Sequence, residues 1–280
     1  MGRFGVLAIR FDVSSCGRGY WRLISLQAGE AYLIYGKAQA GKTTLAYQLA
    51  KQPAVYIPTE TYKGTLSRWQ SVFQYDLHVE QVAGWSPEEV LVNLFKLFGD
   101  DIRLGLIAAK NKASETIHMR SFNVEAWGKE SRIKQLFDGG ERVFIVDSIA
   151  GAVKPVFEFA GDLRGNLAPR DSCMSRLLYY VTRLCQFGAT CLLIDHESKD
   201  PTNVYDKPHP YGPASLRYTC KYWLLLNQSQ AKDHTDVHEL ILTRNIGDRE
   251  YAETHWMRLT DTGFVDMAAE EVQTIMAKRK

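Results

Sequence analysis

The sequence predicts an α/β protein in which a mainly parallel central sheet is covered by helices on both faces and extended by antiparallel strands towards its C-terminal end. Short apolar runs alternate with helical stretches over the first two thirds of the chain, a pattern typical of such sheets. After residue 220 three strand-like runs follow one another with no long helix between them. We therefore expect these late strands to add to one edge of the sheet.

Composition places the chain among ordinary globular proteins. It has 280 residues, 45% hydrophobic and 24% charged, so one large domain is expected. The net charge of +2 neither demands nor excludes a nucleic-acid partner, and five cysteines without a C-x-x-C pair argue against a disulfide framework or structural zinc. No apolar run approaches the ~20 residues that span a bilayer. We predict a cytoplasmic protein, or a nuclear one in a eukaryote, without membrane contact.

Hydrophobic patterning assigns the elements in chain order. The predicted strands before residue 200 are Ala31–Tyr35, Ala54–Ile57, Ile117–Phe122, Arg142–Val146 and Cys191–Asp195. The predicted helices are Thr43–Lys51, Pro87–Phe98, Glu130–Phe137 and Met174–Phe187, the last with Asp171 as its N-cap. The late strands are Tyr222–Leu226, Val237–Thr243 and Glu253–Leu259, and a short helix with a basic tip is expected over Ala268–Lys280.

A phosphate-binding loop is predicted at Gly36–Thr43, which fits G-x-x-x-x-G-K-[ST] between a predicted strand and a predicted helix. Glycines allow the tight turns that point successive N–H groups at phosphate oxygens, and a helix N-terminus adds partial positive charge. Lys42 is expected to reach the β- and γ-phosphates of ATP, and Thr43 to place its hydroxyl on Mg²⁺. The predicted nucleotide-binding residues are Gly36, Lys37, Ala38, Gln39, Ala40, Gly41, Lys42, Thr43 and Thr44.

Three further polar residues end predicted strands. Asp147 follows Arg142–Val146, and a carboxylate at that edge of a parallel sheet can hold Mg²⁺ beside the loop. Glu60 follows the strand Ala54–Ile57 and can orient a water towards the γ-phosphate, which makes it a candidate catalytic residue together with Lys42. His196 ends the strand Cys191–Asp195 and is a candidate sensor of the γ-phosphate.

These motifs, in this order, resemble those of the RecA superfamily of recombinase ATPases, and most of all the archaeal RadA and RadB branch with its recombinase paralogues, such as a RadB-like or RadC-like ATPase core. Gly29–Thr44 resembles the family's phosphate loop with its strand, and Val55–Glu60 (VYIPTE) the strand that delivers the catalytic glutamate. Val143–Ser148 (VFIVDS) resembles the Mg²⁺-binding strand, and Cys191–His196 the strand that ends in a phosphate-sensing glutamine, here replaced by histidine.

The resemblance also implies DNA contacts and neighbouring subunits. Phe157–Arg170 is similar to the first DNA-facing loop and the start of the helix that follows it, with Arg164 and Arg170 as candidate contacts. Arg244 and Arg249 are candidates to act across a subunit interface. The corresponding second loop, Glu197–Pro210, has two lysines against three acids, a formal charge of −1. Because phosphate contacts dominate nucleic-acid affinity, DNA, expected to be single-stranded, should bind weakly or with assistance.

The expected organisation is a divergent N-terminal segment (1–28), a RecA-like core (29–267) and a short basic tail (268–280). Lys96–Glu115 is weakly periodic and resembles extra sequence within the core. There is no room for the separate N-terminal DNA-binding domain of full recombinases, so the chain is expected to assist a full-length recombinase or a sister paralogue, as part of a homo- or hetero-oligomer.

The implied function is slow ATP hydrolysis by a recombinase paralogue in DNA repair or homologous recombination. Three alternatives remain open at this level. One is a KaiC-like signalling ATPase without a DNA role. Another is a subunit of a recombinase-paralogue complex that holds nucleotide structurally, which is favoured by Pro58 (where the family commonly has aspartate), by His196 and by the lack of obvious trans-acting lysines. A third is a helicase-like hexamer, against which the acidic second loop argues.

Overall fold

A computed structural model describes residues 26–60, 72, 77–82, 84–100, 102–109, 112–119, 131–158, 168–198, 209–210, 215–229, 234–246 and 249–277. Arg164 and nearly all of the N-terminal segment predicted at 1–28 lie outside these residues. For Arg170 and Arg249 only the backbone is described.

Strands and helices are interspersed up to residue 219, although not in strict alternation, and mostly strands follow. The strands are β1 (Ala31–Gly36), β2 (Ala54–Pro58), β3 (Leu77–Val79), β4 (Ile102–Ala109), β5 (Lys112–Met119), β6 (Val143–Asp147), β7 (Thr190–Ser198), β8 (His209–Pro210), β9 (Tyr222–Gln228), β10 (Val237–Ile246), β11 (Arg249–Thr260) and β12 (Gly263–Asp266). The helices are α1 (Lys42–Ala50), α2 (Pro87–Leu97), α3 (Arg132–Asp138), α4 (Ile149–Glu158), α5 (Ala168–Gln186), α6 (Ser215–Thr219) and α7 (Ala269–Ala277).

One sheet organises the described chain, in the order β12-β11-β10-β9-β1-β7-β6-β2-β3. In this sheet the neighbouring strands β3, β2, β6, β7, β1 and β9 all pair in parallel. The neighbouring strands β9, β10, β11 and β12 pair antiparallel, which confirms the predicted fold class. The first of the late strands differs from the prediction, because β9 pairs in parallel with β1 and only the strands after it form the antiparallel extension. The short strand β8 pairs with the end of β7.

Alternate residues of the buried strands supply two separate apolar layers. Leu33 and Tyr35 of β1 face a cluster that includes residues of α2, α3, α4 and α5. Tyr32 and Ile34 of the same strand face the opposite cluster, which includes α1 and residues of β10, β11 and β12. A sheet buried on both faces requires continuous apolar strands, and β1 is buried along its whole length.

Helix α1 is fastened to the outer strand β12. The side chain of Gln48 donates to the carbonyl of Phe264 (2.6 Å) and accepts from its N–H group (2.8 Å). The Phe264 ring is fully buried, and His238 of β10 packs edge-on against it with ring centroids 5.1 Å apart. The antiparallel extension is therefore attached directly to the first helix of the core.

Strands β4 and β5 form an antiparallel hairpin of their own outside the main sheet. The hairpin spans residues 102–119, whereas extra sequence was predicted over Lys96–Glu115, because Lys96 still belongs to helix α2. Asp100, just before the hairpin, is buried and accepts hydrogen bonds from both Arg176 and Tyr180 of α5. This buried ion pair holds the start of the hairpin against the core.

Helix α5 begins at Ala168, so the prediction that Asp171 caps it is wrong. Pro169 lies in its first turn, where a fixed φ and a missing N–H favour helix initiation. None of the helices in the described part of the chain combines the length and apolar character needed to cross a membrane.

Candidate functional site

The phosphate loop connects β1 to α1 at the carboxyl edge of the parallel strands, and two of its glycines are required by their surroundings. A Cβ on Gly36 would lie 2.3 Å from the carbonyl oxygen of Leu226 in the neighbouring strand. Gly41 has φ +87°, and a Cβ there would lie 2.8 Å from the buried ring of Phe264. The loop therefore approaches both β9 and β12 more closely than any other residue type would allow.

The N–H groups in the first turn of helix α1 have no side-chain cap. Its N-cap is Gly41, which has no side chain to accept from the first-turn N–H groups. Such groups, together with the helix dipole, form a binding site for an anion. Of the other predicted loop residues, Lys37, Ala38 and Gln39 are exposed, while Ala40 and Thr44 are buried against the core.

Lys42 lies under this loop, where its ammonium group donates to the carbonyls of Gly36 (3.0 Å) and Lys37 (2.7 Å). Burial lowers the pKa of Lys42, and the nearby carboxylates Asp147, Glu60, Asp195 and Glu197 oppose that shift by attraction. Among the described residues, the ammonium of Lys42 therefore lies within electrostatic range of four carboxylates at this edge of the sheet.

Asp147 ends β6 and contacts both the neighbouring strand β2 and the end of the phosphate loop. Its Oδ2 accepts from the hydroxyl of Thr43 (2.7 Å) and from that of Tyr56 in β2 (3.0 Å). Burial raises the pKa of Asp147, while these two hydrogen bonds and the charge of Lys42 lower it. Hydroxyl and carboxylate oxygens are the ligands that Mg²⁺ prefers, so the residues present fit a magnesium ion. Tyr56 was missed, because a tyrosine within an apolar strand is typical of a core residue.

Glu60 is held by hydrogen bonds to the residue that follows β6 and to one residue of β7. Its Oε1 accepts from the hydroxyl of Ser148 (2.8 Å) and lies 3.1 Å from Nε2 of His196. The predicted glutamate and predicted sensor histidine therefore contact one another. His196 pairs in register with Gly36, which places it beside the start of the phosphate loop.

Ser148 and Thr59 were also missed by sequence reasoning. The hydroxyl of Thr59 donates to the carbonyl of Ser148 (2.7 Å) and accepts from its N–H group (2.8 Å). Serine directly before a helix is a known N-cap signal, and the Ser148 hydroxyl does accept from the N–H of Gly151 (2.8 Å). That signal could have identified the cap but not its contact with Glu60, since the two residues lie 88 positions apart.

The candidate interface arginines are not brought to this edge. Arg244 is exposed on β10, and its guanidinium lies over the ring of Tyr222, 5.6 Å from the ring centroid. Tyr222 opens β9, which runs parallel to β1, so Arg244 lies at the opposite edge of the sheet from the phosphate loop. Arg249 opens β11 and Arg170 lies in the first turn of α5. Their predicted roles remain predictions.

Comparison with known proteins gives structural matches only. No protein-family model and no curated protein matches the sequence. The crystal structure of the RadB recombinase matches with a TM-score of 0.55 and 18% identity, covering 87% of this chain and 93% of that chain. A KaiC-like protein from the hyperthermophilic archaeon Pyrococcus horikoshii OT3 matches with a TM-score of 0.49 and 16% identity, covering 86% of this chain and 91% of that chain. The likeness to the RadB structure shows that this chain shares the fold of that protein, a mainly parallel sheet between helices with antiparallel strands added at one side.

Proposed function

We propose that the protein binds ATP with Mg²⁺ at the Gly36–Thr43 loop and hydrolyses it slowly to ADP and phosphate. The observation that carries the proposal is the direct contact of Thr43 with Asp147 beneath a glycine-capped helix N-terminus. This arrangement would supply an anion site and a site for a hard divalent cation side by side.

Each residue of the site has a distinct part in this proposal. The N–H groups of the loop and the ammonium of Lys42 would bind the phosphates, and Thr43 and Asp147 would hold the magnesium ion. When bound, the ion would neutralise charge on the phosphate oxygens. Lys42 would add to that effect as charge shifts towards the leaving oxygen.

Glu60 would orient the attacking water and accept its proton. The water oxygen forms a bond to the γ-phosphorus while the bond to the oxygen bridging the β- and γ-phosphates breaks. His196, 3.1 Å from Glu60, would contact the γ-phosphate from the neighbouring strand and thereby link its presence to the position of the glutamate. Glu60 and Lys42 are the residues that this proposal treats as catalytic.

The biological setting that we propose is DNA repair or homologous recombination, in which the chain assists a full recombinase or a sister paralogue. The fold that it shares with a RadB recombinase supports this setting. Contacts with single-stranded DNA would come from the region of Arg164 and Arg170, and Arg244 or Arg249 would act on the nucleotide of an adjacent subunit. The position of Arg244 at the opposite edge of the sheet suits a contact between subunits rather than within one.

A second candidate function is a subunit that holds nucleotide and hydrolyses almost none. It is favoured by the contacts of Glu60, because the same carboxylate oxygen already lies within hydrogen-bond distance of Ser148 and His196. A carboxylate oxygen that already accepts from protein groups has less capacity left to accept from an attacking water.

Steady-state ATP hydrolysis with and without single-stranded DNA separates these functions. Lys42→Ala serves as the blank, and Lys221→Ala, which alters an exposed lysine paired with Glu30, is the matched control. The proposal predicts slow hydrolysis that DNA stimulates, that Lys42→Ala abolishes and that Lys221→Ala preserves. ATP bound but not hydrolysed would favour the structural subunit. Hydrolysis indifferent to DNA would contradict the role in recombination while leaving the ATPase intact.

A further inference from the structure

We propose that Ser148 is a positioning residue, which relays a hydrogen bond from the N-terminus of helix α4 to Glu60 and so sets the orientation of that carboxylate. The inference rests on the proposed function, because it assigns a cause to the orientation of the proposed base. It concerns a residue that neither the phosphate-loop motif nor any strand-end carboxylate pattern identifies.

Two consecutive hydrogen bonds lead from the first turn of α4 through Ser148 to Glu60. The N–H of Gly151, in the first turn of α4, donates to the Ser148 hydroxyl over 2.8 Å. With that acceptor position filled, the hydroxyl donates to Oε1 of Glu60 over 2.8 Å. A hydroxyl that accepts from a helix N-terminus is polarised towards donation, because neighbouring hydrogen bonds strengthen one another in a buried site. The helix end thereby acts on the glutamate through one serine.

Ser148 cannot easily turn to other partners, because its backbone is held on both sides. The hydroxyl of Thr59 donates to the carbonyl of Ser148 and accepts from its N–H group, and Thr59 directly precedes Glu60. Ser148 itself is 1% exposed. The carboxylate and the serine that orients it are therefore held in a fixed relation, whereas Glu60 keeps a partly exposed side chain that water can reach.

Gly151 supplies the space for this arrangement. A Cβ at position 151 would lie 2.3 Å from Oε1 of Glu60 and 2.7 Å from the Ser148 hydroxyl oxygen. Glycine within a helix is unfavourable relative to alanine. Its presence in the first turn of α4 is accounted for by the room that the Glu60 carboxylate occupies.

The test measures kcat and KM for ATP, the Kd for Mg²⁺–ATP and the melting temperature for Ser148→Ala, Ser148→Thr and Gly151→Ala, each alone and combined with Glu60→Gln. Ser175→Ala, at an exposed serine of α5 that is also hydrogen-bonded, is the matched control. Ser148→Thr keeps both the cap and the donor. Gly151→Ala favours the helix but pushes the carboxylate away, which makes it informative if Ser148→Ala folds poorly.

We expect Ser148→Ala and Gly151→Ala to lower kcat by about tenfold to a hundredfold, the range for a misplaced catalytic group, with KM and Kd unchanged. Ser148→Thr and Ser175→Ala should keep wild-type kcat. In the Glu60→Gln chain the Ser148→Ala change should cause no further loss, because no base remains to be positioned.

Two results would overturn the inference alone. One is that Ser148→Ala and Gly151→Ala both fold and keep wild-type kcat, although Glu60→Gln lowers kcat. The other is an equal loss from Ser148→Ala with and without Glu60→Gln, which would indicate a purely structural cap. If Glu60→Gln itself kept wild-type kcat, the proposed role of Glu60 would fail first, and the role of Ser148 with it.

Discussion

At the scale of single residues, the site is built from polar groups that are buried beside one another. Asp147 and Lys42 are both nearly inaccessible to solvent. Burial raises the pKa of Asp147 and lowers the pKa of Lys42, and each shift favours the neutral form. The hydroxyls of Thr43 and Tyr56 offset part of this effect for the carboxylate. Groups that are shifted by burial and by specific charged partners at one sheet edge are typical of a functional site.

A residue outside the site should make stability depend on pH. His238 is buried against Phe264, and burial lowers its pKa from the ordinary 6.5, opposed by the Asp236 carbonyl and carboxylate. Below pH 6.5 the unfolded chain takes up a proton at this position before the folded chain does. The contribution of His238 to the free energy of unfolding is therefore fully present above pH 6.5. It falls as the pH drops from 6.5 towards the lowered pKa of the folded state.

We expect His238→Asn, which keeps a donor for the Asp236 carbonyl and does not titrate, to remove this dependence. Between pH 7 and pH 5 the wild type should lose more of its free energy of unfolding than the variant does. Urea unfolding at both pH values measures the difference, with His209→Asn at an exposed histidine as the control. Equal losses in wild type and His238→Asn would show that another group is responsible.

At the scale of elements, the contact between β12 and α1 was not predicted from the sequence. Gly41 was predicted to be required for its backbone freedom, and the structure adds a second reason in the close Phe264 ring. Gln48 joins the same two elements through both backbone groups of Phe264. The antiparallel extension therefore supports the phosphate loop, although it is more than two hundred residues away in the chain.

Replacing Phe264 by alanine should both destabilise the protein and weaken ATP binding. Truncation of a buried phenylalanine costs about 3–5 kcal/mol of unfolding free energy, and the resulting cavity would lie directly beside Gly41. Phe187→Ala, at a ring that is 51% exposed, is the matched control and should do little to either property. Loss of stability with an unchanged Kd for ATP would show that β12 supports the core but not the loop.

At the scale of the whole molecule, the long parallel strands of the sheet were predictable because they are largely apolar runs, whereas the short strands β3, β8 and β12 were not predicted. The parallel order and the antiparallel extension follow from strand–helix alternation and its end after residue 220. The pairing of β9 with β1 was not predictable, since a strand's direction depends on a crossover that hydrophobic periodicity does not encode. Of the hairpin of β4 and β5, only the end of β5 overlaps a predicted strand (Ile117–Phe122), and the rest was predicted as extra sequence.

The candidate site shows the same division. Lys42, Thr43, Asp147, Glu60 and His196 were identified because each lies at a strand end or in a local motif, and the structure brings them together. Tyr56, Ser148 and Gly151 were not, because their roles come from contacts between residues far apart in sequence.

The central claim is that Thr43 and Asp147 form a magnesium-dependent ATP site beneath the phosphate loop. Its most direct test is the Kd for ATP by titration calorimetry, with Mg²⁺ and with EDTA, for wild type, Lys42→Ala and Asp147→Asn. We predict that Mg²⁺ tightens binding to the wild type, that Lys42→Ala abolishes binding, and that Asp147→Asn binds ATP equally with Mg²⁺ and with EDTA. A wild-type Kd that Mg²⁺ does not change, or a Lys42→Ala protein that binds as tightly as wild type, would contradict the account.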